Sequence, residues 1–581
     1  MEKLKEALVS FFILSLLFGA CVKKNEKNER KDFAEIVYKA LKEGQKKIDI
    51  PKGTYYMFTE DIKPLTLDSL KDIEINANGS EVITMRPSRA IQISNCENVK
   101  ISGFSIDCDT LPFTQGKIVA IDSVKRMWWE VEIMGGYPLG RLGSVLPGFV
   151  QIFDPNTNQL KKNLYTYFTG IWDKIEKVGE RRFRFEKKQY NPDSNEALGD
   201  LVVIGLNYEG TKPHTIVTSR SKNIQFEDVT IYSGNFVGFY ELECEKNSYN
   251  RCKVIKKLDD PKVSYPRLVS INRDAINSRS AKIGPKITNC TLMDNGDDDI
   301  AIHTTFYKVL NNKGDIIDLA ARFPGIQMAP GNMLRFVSYD GRVIGDAKVL
   351  KIEQISDYPQ AKHKRLTEKL SKMYEKSSIY GSETPFITRL TLDRKLTVAT
   401  GDVVYSLDMS GSGFVVKNNK IGNTRARGLL IKSSDGIISD NEITGCELCG
   451  ISIAPEFWFM EAGLARNLII ENNTIKDCMF ANSNYGIEQA APLSVIFTNG
   501  KNQIAPSGGF KNIIIKNNNI ENSTIPAIIV TSADSVQITG NQITISKAIV
   551  RAHGEKYGIN NKKPIYTKNV DHLVIEGNNI K

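Results

Sequence analysis

The sequence has few residues of the kinds that bind metal ions or nucleic acids. Its five histidines lie far apart, and the pair Cys446-x-x-Cys449 has neither a second cysteine pair nor a nearby histidine, which argues against a zinc or redox centre. The net charge is +10, but no basic stripe interleaved with aromatic residues is present, so the sequence lacks the signature of a nucleic-acid-binding protein. We therefore expect no metal, no cofactor and no nucleic-acid partner. We expect the cysteines to be buried as small apolar residues, with disulfides as the alternative.

Long hydrophobic runs are also scarce. The apolar run from Ala7 to Ala20 is too short for an ordinary membrane span, but it follows two lysines as in a secretory signal peptide. The run ends in LFGAC, which is similar to a bacterial lipoprotein box, whose cysteine is lipidated. We predict a signal peptide over 1–20, lipidation at Cys21 and a polar tether over 21–32. The predicted protein is exported and attached to a bacterial membrane through this lipid alone, on the periplasmic or the cell-surface side.

The sequence does contain a short repeat, in which apolar residues alternate with polar ones and Asn, Gly or Asp marks each bend. The alternation predicts short strands with one buried face, and Asn and Gly tolerate the left-handed backbone of a sharp bend. Ile421 and Ile443 are 22 residues apart, and Ile520 and Ile543 are 23 apart, which corresponds to one coil of a solenoid. Copies occur at Val99–Ile106, Ile224–Ile231, Lys286–Leu292, Val415–Ile421, Ile437–Ile443, Leu468–Ile475, Ile513–Ile520, Val536–Ile543 and Leu573–Ile580.

The repeat predicts an all-β protein built as a parallel β-helix. Independent hairpins or a sandwich are the alternative, but they give no reason for the same Asn position to recur. Two stretches with strand-like alternation interrupt the repeat, and we predict that each is an inserted antiparallel β module with a barrel-like form. The predicted organisation is a cap helix and first coils at 33–106, a module at 107–213, coils at 214–304, a module at 305–410 and C-terminal coils at 411–581. The cap helix, Phe33 to Glu43, has one apolar face that can cover the open end of the first coil.

A run of three aspartates, Asp297 to Asp299, follows Gly296 and forms the centre of the predicted chemistry. Asp274 precedes Asp297 by 23 residues, which places the two on neighbouring coils about 4.8 Å apart along the axis. A sideways offset would open the gap to the roughly 6.5–9.5 Å with which an inverting glycosidase seats a water between two carboxyl groups. Asp297 and Asp298 can both face one groove only if the backbone bends at Gly296. A solvated or calcium-binding turn is the alternative.

A second group of polar residues follows on the next coils. His303 comes five residues after Asp298 and can hold a sugar hydroxyl or a carboxylate, or it can simply pack on its strand. Arg427 stands at the start of a predicted strand, and Trp458 and Glu461 stand in a loop between strands. An indole face packs well on the C–H face of a pyranose, and an Arg–Glu pair suits sugar hydroxyls.

Taken in order, these motifs resemble glycoside hydrolase family 110, the bacterial α-1,3-galactosidases that remove terminal α-galactose, including that of the blood-group B antigen. The resemblance covers most of 33–581 and implies a right-handed β-helix with inserted β-barrel modules. It implies inverting, metal-independent hydrolysis of an oligosaccharide or glycoconjugate with terminal α-galactose. By motif, Asp274, Asp297 and Asp298 are the expected catalytic carboxylates. The residues expected to line the galactose pocket are His303, Arg427, Trp458 and Glu461.

Two other functions remain open from the residues. A different β-helix carbohydrate enzyme is one, but the Gly-His-Gly and Arg-Ile-Lys motifs of a polygalacturonase are absent from the sequence. A pectate-type lyase needs calcium and a basic residue as its base, so EDTA separates it from a metal-free hydrolase. A surface β-helix that only binds glycans is the other alternative, although it has little reason to cluster three aspartates.

Overall fold

The computed structural model describes residues 31–57, 64–144, 146–163, 167–168, 171–191, 194–206, 213–321, 325–356, 365, 368, 386–457, 459–481, 490–547, 558–560 and 562–581. The predicted signal peptide, Cys21, most of the tether and Trp458 lie outside these residues. Among the described residues, no helical segment combines the length and the hydropathy that a membrane span requires.

Short strands stack in parallel register into three ladders, so each coil of the chain contributes one rung to ladder A, then one to ladder B, then one to ladder C. Ladder A consists of β3 (Leu65–Asp68), β5 (Ile91–Ser94), β14 (Ile216–Ser219), β16 (Phe239–Leu242), β19 (Ile276–Arg279), β22 (Ile300–Thr305), β31 (Leu429–Ile431), β34 (Ile451–Ile453), β38 (Leu493–Val495) and the first parts of β41 (Ile528–Thr539) and β43 (Ile565–Glu576).

Ladder B consists of β1 (Lys47–Asp49), the first parts of β4 (Lys71–Thr84), β6 (Glu97–Cys108) and β15 (Gln225–Ile231), then β17 (Ser248–Asn250), β20 (Lys286–Thr288), β29 (Val415–Lys417), β32 (Ile437–Ser439), β36 (Arg466–Glu471), β39 (Phe510–Lys516) and the second parts of β41 and β43. Ladder C consists of β2 (Thr54–Met57), the second parts of β4, β6 and β15, then β18 (Lys253–Val254), β21 (Thr291–Met293), β30 (Lys420–Gly422), β33 (Glu442–Thr444), β37 (Thr474–Lys476), β40 (Asn519–Ser523), β42 (Gln542–Ile545) and β44 (Asn579–Ile580).

The predicted parallel β-helix is confirmed, and the register explains the repeated Asn. In the repeat at 415–421, Asn418 has a φ of 56° and makes the bend, whereas Asn419 turns inward and is buried. The Oδ1 of Asn441 accepts a hydrogen bond of 3.0 Å from the backbone N–H of Asn419. The same contact repeats coil by coil through Asn473, Asn518, Asn541 and Asn578. The ladder satisfies buried backbone donors at the bend between ladders B and C.

The first inserted module is an antiparallel sheet that lies between ladder C of one coil and ladder A of the next. Its strands, in sheet order, are β10 (Tyr167–Phe168), β9 (Phe149–Phe153), β13 (Leu201–Gly205), β7 (Phe113–Ile121), β8 (Trp128–Ile133), β12 (Arg182–Lys187) and β11 (Trp172–Lys177). Its own core contains Trp129 and Trp172, whose ring centroids are 5.2 Å apart.

The second inserted module follows β22 directly and lies between ladders A and B. It is a closed six-stranded barrel in the order β23 (Tyr307–Lys313), β24 (Ile316–Ala321), β27 (Phe386–Leu392), β26 (Val343–Ile355), β25 (Met333–Val337) and β28 (Val403–Ser406). Both insertions are attached to ladder A, one at each end of its strands, so they flank its outer face.

The helix α1 (Phe33–Lys42) packs over the first coil, as its apolar face predicted. Asp32 caps it by accepting hydrogen bonds from the N–H groups of Ala34 and Glu35, at 2.7 and 3.1 Å. Phe33 contacts Tyr55 and Phe104 of the coil, with ring centroids 6.0 and 5.9 Å away. The eight described cysteines are all free and buried, so the prediction of small buried residues is confirmed and the disulfide alternative is wrong.

Candidate active site

The predicted carboxylates lie at the bend where the chain passes from ladder C to ladder A. The register aligns Ile276 with Ile300, and Ile300 with Leu429, on three consecutive rungs. Two residues before these positions, the same register aligns Asp274, Asp298 and Arg427 in one column. The residue in line with Asp274 is therefore Asp298. The expectation that Asp297 occupied this position is corrected, because the coil from Ile276 to Ile300 is 24 residues long, one more than the spacing between Asp274 and Asp297.

All three aspartates nevertheless meet in one groove. Asp274, Asp297 and Asp298 each have one carboxylate oxygen within 4.8 Å of the other two. The expected sideways offset to about 6.5–9.5 Å is not present between these nearest oxygens. A cluster this tight concentrates negative charge, and neighbouring cations or a bound proton must balance it.

Gly296 lets the aspartate run approach the preceding coil. A Cβ at this position would lie 2.3 Å from the carbonyl oxygen of Asn272. The backbone N–H of Gly296 donates a 2.9 Å hydrogen bond to the carbonyl of Ile271, which fixes the close contact. The sequence correctly singled out Gly296, but the reason is close packing of two backbones, since this glycine does not have the positive φ that a left-handed bend requires.

Each aspartate has a different partner. Arg427 donates to both carboxylate oxygens of Asp298, from Nε at 2.7 Å and from Nη2 at 2.8 Å. Arg425 Nη2 lies 3.0 Å from Asp297 Oδ1, and Arg273 Nη1 lies 3.8 Å from Asp297 Oδ2. Asp274 accepts a 2.7 Å hydrogen bond from the amide of Asn277 and makes no ion pair among the described residues.

These partners separate the protonation behaviour of the carboxylates. Burial, followed by the charges of Asp297 and Asp298, raises the pKa of Asp274 well above its usual value. Burial also raises the pKa of Asp298, but the Arg427 guanidinium opposes that rise. A cation stabilises an ionised carboxylate, whereas a neutral amide compensates little for lost hydration. Asp274 is therefore the member of the cluster that most favours its protonated form.

A second charged cluster lies beside the aspartates on the outer face of ladder A. Lys432 Nζ donates to Glu456 Oε2 at 2.5 Å and also to Glu461 Oε2. Arg427 Nη1 donates to Glu456 Oε1 at 3.2 Å and so joins the two clusters. Although burial acts in the opposite direction, the Lys432 ammonium lowers the pKa of Glu461 far below its usual value. Glu461 is thus an ionised acceptor, with a side chain 29% exposed to the groove.

Three of the predicted binding residues, Glu461, His303 and Arg427, lie in this region, but their side chains have different partners. Glu461 starts the short strand β35 (Glu461–Ala462), which pairs with the end of β22 and brings the loop back over ladder A. His303 lies on the outer face of β22, and its Nδ1 is 3.1 Å from the carbonyl of Thr304, so Nδ1 donates and Nε2 remains the acceptor. Burial lowers the pKa of His303, which keeps the ring neutral. Arg427 is close to the aspartates, but its guanidinium is committed to two carboxylates rather than to the open groove.

Five polar residues of the site were missed from the sequence. Arg273 and Arg425 flank the predicted motifs and could have been found by asking which cations balance three aspartates. Asn277 stands three residues after Asp274, but the sequence does not show that its amide turns back to that carboxylate. Lys432 and Glu456 carry no signal in the sequence, because they follow strands on neighbouring rungs, β31 and β34, and meet only through the register.

The aspartate cluster has enough oxygen atoms to be considered for a divalent cation, but its surroundings suit one poorly. Both oxygens of Asp298 already accept hydrogen bonds from Arg427. Arg273 and Arg425 hold positive charge against Asp297. Calcium prefers six to eight oxygen ligands. The positive charges of the three arginines at these carboxylates would repel a metal ion. The residues present fit neutralisation by arginine better than by a metal.

Comparisons with known proteins agree with the fold and with the family resemblance. A family model described as "Right handed beta helix region" matches residues 398–543. The α-1,3-galactosidase B of Bacteroides thetaiotaomicron is 22% identical over 74% of this chain and 67% of its own length. The α-1,3-galactosidase B of Parabacteroides distasonis is also 22% identical, over 88% of this chain and 82% of its own length.

Among solved structures, the family 28 exopolygalacturonase of Yersinia enterocolitica is similar at 12% identity and a TM-score of 0.35, over 92% of this chain and 72% of that one. The α-1,3-galactosidases B confirm the family resemblance that the motifs predicted. The chain is a right-handed parallel β-helix protein related over most of its length to these enzymes.

Proposed function

We propose that this protein is an exo-acting, inverting glycoside hydrolase that removes terminal α-1,3-linked galactose from an oligosaccharide or glycoconjugate. The observation that carries the proposal is the meeting of Asp274, Asp297 and Asp298 in one groove, with a different partner for each. The names of the relatives supply the sugar and the linkage. The broader conclusion, a glycoside hydrolase on a β-helix, requires only the carboxylates and the relationship.

The partners of the carboxylates support an assignment of roles. Asp274, whose pKa is raised by burial and by its acidic neighbours, is the proposed general acid that protonates the leaving oxygen. Asp297 is the proposed base that takes a proton from water, because its side chain is 27% exposed whereas that of Asp298 is 5% exposed. Asp298, held at both oxygens by Arg427, positions the other two and contributes charge near the oxocarbenium-like transition state.

The charged cluster beside the aspartates suits the hydroxyls of one terminal sugar. Glu461 offers an ionised acceptor, His303 a neutral ring, and Lys432 a buried ammonium that orders the carboxylates. Strand β35 pairs with the end of β22 at one side of the aspartates, and Phe149 of the first module lies 5.9 Å from the Arg273 guanidinium at the other. Exo action is proposed from the family resemblance, since those enzymes remove a terminal galactose.

Inversion follows from the family resemblance rather than from the spacing of the carboxylates. The nearest oxygens lie within 4.8 Å, which is closer than the roughly 5–5.5 Å typical of retaining enzymes as well as the wider inverting range. The inverting proposal therefore requires that bound substrate and water separate Asp274 from Asp297. The anomer of galactose that is released first shows directly whether hydrolysis proceeds with inversion.

The deciding experiment is proton NMR of the protein acting on Galα1-3Gal, recorded from the first minutes. We expect β-galactose first, and we expect Asp274→Asn and Asp297→Asn each to slow its release by about a hundredfold or more. The matched control is Asp173→Asn, an exposed aspartate of β11, which should behave as wild type. Early α-galactose contradicts inversion and makes one aspartate a nucleophile. No release from this disaccharide or from the blood-group B trisaccharide contradicts the proposed substrate.

A parallel assay with EDTA addresses the alternatives. A metal-independent hydrolase keeps its activity, whereas a calcium-dependent lyase loses it and its product absorbs in the ultraviolet through a new double bond. Glycan binding without turnover in the wild type, unchanged in Asp298→Asn, would instead identify a binding protein.

Export and lipid anchoring form a separate part of the proposal, which rests on the LFGAC motif alone. Cells that express the full chain should incorporate labelled palmitate into the protein and retain it in the membrane fraction. Cys21→Ser should remove both the label and the membrane retention. A labelled Cys21→Ser protein would contradict attachment at this residue.

A further inference from the structure

Three aromatic side chains continue the groove along ladder A, on the rungs that precede the aspartates. Tyr240 lies on β16, and the register pairs it with Asn277 on β19, the residue that donates to Asp274. His214 stands two residues before β14, and Phe236 stands three residues before β16. All three side chains are half-buried, so part of each faces the surface. We call His214, Phe236 and Tyr240 the aromatic platform.

The platform is ordered by its own contacts. The rings of His214 and Tyr240 stack with centroids 4.2 Å apart and planes 6° apart. His214 belongs to the rung before Tyr240, so it covers the ring face that points away from the aspartates. On the next rung, β19, the register partner of Tyr240 is Asn277, whose side-chain amide donates to Asp274. A hydrogen bond between Tyr240 and Arg279 holds the ring in place.

One arginine links the platform to the carboxylates. The Arg273 guanidinium lies 5.8 Å from the ring centroid of Phe236 and 3.8 Å, through Nη1, from Asp297. On the other side of the aspartates lies the charged cluster of Lys432, Glu456 and Glu461. The groove therefore has two chemically different halves, one charged and one aromatic, with the aspartates between them.

The aromatic half is uncharged at neutral pH. Burial, with a smaller effect of the Arg89 charge, lowers the pKa of His214 to about 4, so its ring is neutral well above that pH. Neutral rings stacked in this way present a C–H-binding surface rather than a site for an ion. Pyranose rings pack their apolar C–H face on such surfaces and direct their hydroxyls outward.

We propose that the aromatic platform binds the sugar to which the terminal galactose is linked, a hexopyranose on the leaving-group side of the scissile bond. This inference rests on the proposed function. The terminal galactose lies against the charged cluster, where its hydroxyls meet carboxylates and a neutral histidine. The leaving sugar then lies beside the aspartates, with its apolar face against the exposed part of the aromatic platform. Tyr240 is thus a specificity-determining residue for the second sugar, and it takes no part in the bond cleavage itself.

The test compares two substrates that differ only in the leaving group. Galα1-3Gal has a second sugar, whereas α-galactosyl fluoride has only a fluoride ion and reaches no further than the carboxylates. We expect Tyr240→Ala to lower kcat/KM for Galα1-3Gal by about tenfold, the loss expected when one aromatic contact is removed. We expect the same variant to hydrolyse α-galactosyl fluoride as fast as wild type. Tyr190→Ala, which removes an exposed tyrosine of the first module, is the matched control.

Each result decides between distinct conclusions. An equal loss on both substrates, or no loss on either, overturns the subsite while the hydrolase assignment stands. A wild-type protein that hydrolyses neither substrate overturns the proposed function and this inference together. If thermal unfolding shows that Tyr240→Ala does not fold, Phe236→Ala on the same platform provides the second measurement, with the same expectation.

Discussion

At the scale of single residues, three identical side chains differ because of their immediate partners. Asp298 has a guanidinium on both oxygens, Asp297 lies between two arginines, and Asp274 has only the amide of Asn277. The charge of a carboxylate that lacks a cation is the most costly to maintain in a buried cluster. We therefore propose that the proton that relieves the cluster resides on Asp274.

This assignment predicts a particular result for Asp274→Asn. The variant should lose about 10²–10⁴-fold in kcat on Galα1-3Gal, since a general acid typically contributes that much. It should lose far less on α-galactosyl fluoride, because fluoride leaves without being protonated. A similar loss on both substrates would instead give Asp274 the role of base or positioning group.

The pH dependence of the wild type provides a second check on the same residue. Because burial and the neighbouring carboxylates raise the pKa of Asp274, its protonated form persists above the usual range of an aspartate. Activity that requires this proton falls as the pH rises through the raised pKa. The alkaline limb of the kcat/KM profile should therefore be missing from the residual activity of Asp274→Asn. An unchanged limb in the variant would assign that titration to another group.

At the scale of single elements, the site depends on how closely one bend packs against the next. The bend at Gly296 lies so near Asn272 that a methyl group would overlap the Asn272 carbonyl, at 2.3 Å. Backbone atoms cannot rotate away as a side chain can, so an added Cβ must push the two coils apart. The residues carried by this bend are Asp297 and Asp298, so the packing of the bend positions two of the proposed catalytic carboxylates.

Gly296→Ala should therefore reduce activity more than its small change in volume suggests. We expect destabilisation of about 1–3 kcal/mol, the usual cost of overpacking, and a large fall in kcat from displaced carboxylates. Gly53→Ala in the first coils is the matched control, since its added Cβ meets only the Tyr55 ring at an ordinary 3.6 Å. Thermal unfolding and NMR turnover measure the two effects. Full activity in Gly296→Ala would show that the coils tolerate the shift.

At the scale of the whole molecule, stacked coils bury charged groups that a flat surface would leave in water. Glu447 is an example, because it lies in the bend between ladders C and A and is buried. Burial raises the pKa of Glu447 from 4.5 to about 8, although the Arg425 charge opposes the rise. A carboxyl with a raised pKa in the folded state binds its proton more tightly there than in the unfolded chain. Its contribution to stability is complete below pH 4.5 and is lost as the pH rises through about 8.

Glu447→Gln should remove this dependence. The wild type should unfold at a lower urea concentration at pH 9 than at pH 6, and the variant should show a smaller difference between the two. The comparison of the four urea midpoints isolates the residue, because other titrating groups are common to both proteins. The same pH difference in the variant would place the effect on other buried carboxylates.

Much of the fold and part of the site could be predicted because their signals are local. Alternation of apolar and polar residues predicted the rungs, and the Asn, Gly or Asp between them predicted the bends, since both signals operate within a few residues. Asp274, Asp297 and Asp298 were identifiable because unusual charge density is visible in a linear chain. Lys432 and Glu456 were not, because their contacts cross coils or depend on the return of β35.

The sequence by itself determined the parallel β-helix, the two insertions and the carboxylates, because stacking of a repeated unit leaves few ways to bury its apolar face. The tertiary structure alone decided the register that aligns Asp274 with Asp298 rather than Asp297. It also decided which cation neutralises which aspartate and where the aromatic platform lies. These features depend on one extra residue in a coil and on side chains brought together from separate coils. Electrostatic interactions act through space at distances of a few ångströms, and residues that are remote along the chain reach those distances only after it has coiled.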